Sequence, residues 1–115
     1  MISRLIALLA VIWLWGVPVQ AQAPDDIVYI QVQARTSLTG AQEGVRDFAE
    51  RFENVNGFAL GGGWYGVALG PYRRDEATQL LADLLRARQV PADAYIEDTR
   101  AYGQQFWPIG AQPAR

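Results

Sequence analysis

Three aromatic residues and two amides carry the most suggestive chemistry in this 115-residue chain: Tyr29, Trp64 and Tyr95, with Gln31 and Gln33. All five lie in strand-like segments, where residues of equal parity share one face of a sheet. Alternation sends Tyr29, Gln31 and Gln33, then Trp64, Gly66 and Ala68, then Ala59, and finally Tyr95 and Glu97 to the same side. Gly66, Ala68 and Ala59 would form a low floor with the aromatics around it. Glycine inside a strand often marks close approach by another molecule. Aromatic faces beside amides suit sugar rings, whose C–H groups stack on the ring while the amides pair with hydroxyls. The expectation is a carbohydrate-type surface. The competing arrangement folds the C-terminal tail back, so that Phe106 and Trp107 cover this face as ordinary core. Large bare apolar patches usually mean contact, which favours the binding surface.

A second cluster is cationic. With the first and third strands taken as parallel neighbours, Arg35 falls beside Tyr72, Arg73 and Arg74. Arginine at a helix N-terminus opposes the helix dipole. Asp75 and Glu76 are the nearest neutralising groups, and carboxylates of an acidic polymer are the alternative.

Catalysis is not expected. The chain has no histidine and no cysteine, which removes Ser-His-Asp triads, thiol nucleophiles and most zinc sites. A glycosidase needs two carboxylates facing one sugar, and only Glu97 is expected on the open face. Gly61-Gly62-Gly63 lies in a hairpin rather than before a helix, so it is no phosphate cradle. No cofactor and no metal are expected.

These side chains need a scaffold, and the chain describes one twice. Ile27 to Ala34 reads as a first strand, with Ile30 and Val32 turned to the core. Thr39-Gly40-Ala41-Gln42 fits a capping box. Leu38, Ala41, Val45, Phe48 and Phe52 follow as one apolar stripe, and Asn54 to Gly57 supplies a C-terminal stop. Phe58-Ala59-Leu60 reads as a short second strand with Phe58 and Leu60 toward the helices. A glycine turn leads to a third strand, Trp64 to Leu69, closed by Gly70-Pro71. A second helix, about 74–88, buries Ala77, Leu80, Leu81, Leu84 and Leu85, and a fourth strand spans Ala94 to Glu97. The repeated strand–helix–strand unit closes into a four-stranded sheet with two helices on one face and the other face bare. Residues 98–115 form a tail.

The first residues read differently. Met1 to Arg4 is a short basic region, Leu5 to Val17 is apolar, and Val19-Gln20-Ala21 fits a signal-peptidase site. Cleavage after Ala23 also fits the small-residue rule, but Pro24 would obstruct it, so residues 1–21 are expected to leave as a signal peptide. An uncleaved anchor is the alternative, and the apolar run is shorter than the roughly 18–20 residues a span needs. Removing residues 1–21 takes Arg4 and no acid, leaving nine arginines against twelve acids, a charge of −3. With export and that sign of charge, nucleic acid is not expected as a partner. No disulfide can hold the exported domain together.

The series Ile30-Gln31-Val32 before one helix and Val67-Ala68-Leu69-Gly70-Pro71-Tyr72 before another resembles the SPOR domain over about residues 27–97. Gln31 and the Gly70-Pro71-Tyr72 strand exit carry the most specific part of the likeness. The resemblance implies an α+β, ferredoxin-like βαββαβ two-layer sandwich with a four-stranded antiparallel-type mixed sheet and two helices on one face. It also implies a periplasmic, cell-envelope module that binds peptidoglycan glycan strands through the helix-free sheet face, with a role in cell division or wall remodelling. Gln33, Arg35 and Ala68 depart from the family pattern. The expected ligand-binding residues are Tyr29, Gln31, Gln33, Arg35, Trp64, Gly66, Tyr72, Arg73 and Tyr95. A protein-interaction module that uses the same face to hold an envelope enzyme is the alternative.

Overall fold

The computed structural model describes residues 26–111, so the expected signal peptide lies outside the described residues. The chain is α+β: a five-stranded antiparallel sheet with two helices. Its elements are β1 (Ile27–Arg35), α1 (Leu38–Ala49), β2 (Val55–Gly61), β3 (Trp64–Arg73), α2 (Arg74–Arg86), β4 (Tyr95–Asp98) and β5 (Gln105–Trp107). The strand order is β4-β1-β3-β2-β5.

Two expectations about the sheet change here. Every paired neighbour is antiparallel, including β1 with β3, so the sheet is not mixed. The helical crossover returns β2 parallel to β1 but one strand away, and the tight hairpin then sends β3 back between them. Gly62 and Gly63, at φ +63° and +83°, make that hairpin. Positive φ at both central residues matches the right-handed strand twist, and glycine adopts it without a steric penalty. The second change is a fifth strand: β5 pairs with β2 at the edge opposite β4.

The helices pack on one side of the sheet over Val28, Ile30, Val32, Val55, Val67 and Leu69. From α1 this core takes Ala41, Gly44, Val45 and Phe48, whose three- and four-residue steps form one stripe. Its cap is Ser37, whose hydroxyl accepts the Gly40 N–H at 3.0 Å, so the helix starts before Thr39. It also stops at Ala49, earlier than the expected Asn54–Gly57 stop. From α2 only Ala77 is fully buried, while Leu80, Leu81, Leu84 and Leu85 pack half-buried against the same core. At the start of α2 the Glu76 carboxylate accepts the Arg73 backbone N–H at 3.3 Å, and Arg74 reaches across to Asp98 at 2.6 Å. Solvent-exposed pairs of this kind are worth only ~0–1 kcal/mol. The fold rests on the core.

Candidate functional site

The helix-free face was expected to be bare, and half of it is not. From the end of β4 the chain crosses this face to reach β5 at the far edge. Tyr102 sits in the middle of that crossing, 3% exposed, in a cluster with Tyr29, Phe58 and Ala68. Its ring stacks on Phe58 at 4.4 Å between centroids and meets Tyr29 edge-on at 5.2 Å. Its hydroxyl donates to Gln31 Oε1 at 3.0 Å. Burial, and then the nearby Glu97 carboxylate, raise the Tyr102 hydroxyl well above the usual tyrosine range, which keeps it a donor. The crossing is tied to β2 by Gly103 N–H to Ala59 O and Ala59 N–H to Gln104 O, both 2.8 Å.

The tail therefore folds back, but Tyr102 does the covering. Phe106 and Trp107 pack instead on the helix side. Phe106 lies on Gly57 and meets the ring of Tyr65 edge-on at 6.1 Å.

Strand β2 has the opposite parity to that expected. Because it begins at Val55, which enters the helix-side core, Phe58 and Leu60 point to the helix-free face and Ala59 does not. Asn56 also faces the helix-free side. Its amide donates to Asn54 O at 3.1 Å, Gly70 O at 2.9 Å and Ala68 O at 3.4 Å, while its oxygen accepts from Gln105 Nε2 at 2.9 Å. Nothing in the local residue pattern pointed to Tyr102, Asn56 or Gln105.

The nine expected site residues separate into three groups. Tyr29 and Gly66 are buried in the covered cluster or beneath it, with Leu60 and Gln31 closing over Gly66. Gln31 is 7% exposed and holds Tyr102. Gln33 is turned away: a bulge between Gln31 and Gln33 shifts β1 by one residue, and the amide lies against Gly44 of α1. The same bulge brings Ala34, opposite Gly66, onto the helix-free face in place of Gln33.

The cationic group does not assemble. Antiparallel pairing sets Ile27 opposite Arg73 and Arg35 opposite Tyr65, so Arg35 is at the far end of the sheet from Tyr72 and Arg73. Arg35 instead lies over Gly40 at the start of α1. The Tyr72 hydroxyl accepts from Asn54 Nδ2 at 2.6 Å, and Arg73 is 3.6 Å from Asp75. Neutralisation from within the helix thus accounts for Arg73, as the local charges suggested.

Trp64 and Tyr95 remain. They are 47% and 45% exposed, and both project from the helix-free side: Trp64 alternates with Gly66, and Tyr95 stands opposite Gln31. Tyr95 also bonds Glu97, and burial, followed by that carboxylate, raises its hydroxyl pKa. Strand spacing separates the two aromatics by about 10 Å across the sheet and about 13 Å along it. Between them lie Ala34, Gly66, Leu60 and the edge of Gln31. This uncovered half of the face is the candidate site. Among the described residues no group of three or more acidic side chains could hold a metal ion. Comparison with family models, curated proteins and solved structures returned no match.

Proposed function

We propose that this protein is an exported binding module that takes peptidoglycan glycan strands on the uncovered half of its helix-free face. The observation that carries the proposal is the pair of half-exposed aromatics, Trp64 and Tyr95, flanking a low floor of Ala34 and Leu60. Two aromatic platforms so far apart fit a short stretch of polymer better than a single ring. Aromatic anchors supply large contact area at small entropic cost, which suits a shallow site. We read the role as binding rather than catalysis: of the two carboxylates beside the platform, Glu97 is engaged with Tyr95 and Asp93 lines the adjoining cleft.

The SPOR-like residue series supports the same reading, as does a β4-β1-β3-β2 core of ferredoxin-like character to which β5 is an addition. Export follows from the N-terminal sequence pattern. The site differs from the family expectation in extent, because Tyr102 occupies the half that includes Tyr29.

The test is retention of the full chain on purified cell-wall sacculi, with and without amidase stripping of the stem peptides. Trp64→Ala and Tyr95→Ala are each expected to weaken binding about 5- to 150-fold, the loss of one platform being worth ~1–3 kcal/mol. Both side chains are half-exposed, so their melting curves should stay close to that of the parent. Equal retention by the parent and both variants, or none by the parent, would sink the proposal, and none would turn the search to a protein partner.

A further inference from the structure

Strand β1 is longer than its neighbour on one side. β3 accompanies it to Arg35, whereas β4 pairs only with Val28 to Gln31. Beyond Tyr95 the chain turns away: the Ala94 N–H donates to Pro91 O at 3.0 Å, and the Ala94 side chain is buried in the helix-side core. The edge of Val32 to Ala34 therefore opens onto a cleft of about 240 Å³, lined by Gln31, Val32, Gln33, Ala34, Asp93 and Tyr95.

The lining dictates the ligand chemistry. A strand edge offers N–H and C=O groups spaced to pair with another amide. The volume is below the roughly 300–1,000 Å³ of sites for whole small molecules, so the cleft suits one substituent of a larger ligand. Asp93 is the only charged residue in the lining, which disfavours an anionic group. Tyr95 stands at once in this lining and on the candidate platform, so a polymer resting on Tyr95 has its substituents within reach of the cleft.

We propose that this cleft reads the acetamido group of an N-acetylated hexosamine, pairing the amide with the free edge of β1 and setting the methyl against Tyr95. The inference rests on the glycan reading above and adds to it the chemical group that is recognised and the edge that recognises it.

The experiment titrates the full chain with three tetrasaccharides: N-acetylglucosamine tetramer, its fully deacetylated form, and the glucose tetramer that lacks any nitrogen. Binding is followed by calorimetry and by backbone amide NMR shifts. The N-acetylated tetramer should bind about tenfold more tightly than either other, the worth of one or two net hydrogen bonds. Only that titration should shift the amides of Val32 to Ala34. Asp93→Phe, an exposed change that narrows the cleft from outside the platform, should erase the preference without altering the fold. Equal binding of the N-acetylated and glucose tetramers, with shifts near Trp64 and Tyr95 but not at 32–34, would overturn the acetamido cleft and leave the glycan face standing. Tightest binding by the deacetylated form would mean that Asp93 takes an ammonium, which also overturns it. No binding of any tetramer would overturn both readings together.

Discussion

Tyr102→Ala is expected to remove about 3–5 kcal/mol of stability, the cost of deleting a fully packed aromatic ring. The ring is 3% exposed and is shared between Phe58 and Tyr29, which are themselves 0% and 2% exposed. Deleting it opens both to water beneath a crossing segment whose other side chains, Arg100, Ala101 and Gln104 among them, are exposed. A domain of this size has only ~5–15 kcal/mol in total, and it has no disulfide in reserve. Tyr102→Phe separates packing from hydrogen bonding. It keeps the ring but leaves Gln31 Oε1 buried without its donor, at about 1–3 kcal/mol. Denaturant melts of the two variants give both numbers. A loss below about 1 kcal/mol for the alanine variant would mean that the segment does not hold the face closed.

The same residue marks where the sequence ceased to be legible. Its partner Gln31 is 71 positions away, and no spacing rule reaches that far. What local pattern could show, it showed: the alternation in β1 before its bulge and along β3, the apolar stripe of α1, and the small residues at Gly66 and Ala68. Each of those signals is carried by neighbours within two to four residues. The start of β2 failed because Val55-Asn56-Gly57 has the composition of a helix stop. Asn56 remains in the strand because three backbone oxygens and the distant Gln105 satisfy its amide, a tertiary override of local preference. That missed start then inverted every side chain of the strand, since a one-residue shift exchanges the faces. The bulge that withdrew Gln33 was hidden for a similar reason. It depends on Gly44 of α1 leaving space for the amide. In the candidate site, Trp64 and Tyr95 were legible because each keeps the face that simple alternation gives it and lies outside the covered cluster. Tyr29 has the same parity, and was lost to a residue from the tail.

Gly57→Ala should be nearly as damaging as loss of Tyr102, and for the opposite physical reason. A Cβ at this position would fall within the ring of Phe106, with Cε1 at 2.5 Å and Cε2 at 3.0 Å. The ring has little freedom to yield: Tyr65 meets it edge-on, and on either side of it the Gln105 amide donates to Asn56 and to Trp107 O at 2.8 Å. Overpacking of this kind costs about 1–3 kcal/mol, and the burial of Phe106 is forfeited if the ring leaves. The Phe106→Ala variant tells obstruction from a general intolerance of Cβ in the strand. If the ring is the obstacle, Gly57→Ala adds little once Phe106 is gone, and the two changes are strongly non-additive. Full additivity would place the damage in the strand itself. The effect should also travel. β5 follows directly on the two backbone hydrogen bonds that tie Gly103 and Gln104 to Ala59, so expelling Phe106 frees the crossing at one end. Amide exchange at Ala59 and Gly103 should then accelerate together in Gly57→Ala, while the amides of α1 keep their protection. Such a variant would expose Tyr29 and Phe58 without any change to Tyr102. It would therefore report whether the covered half of the face can take glycan once the tail is lifted.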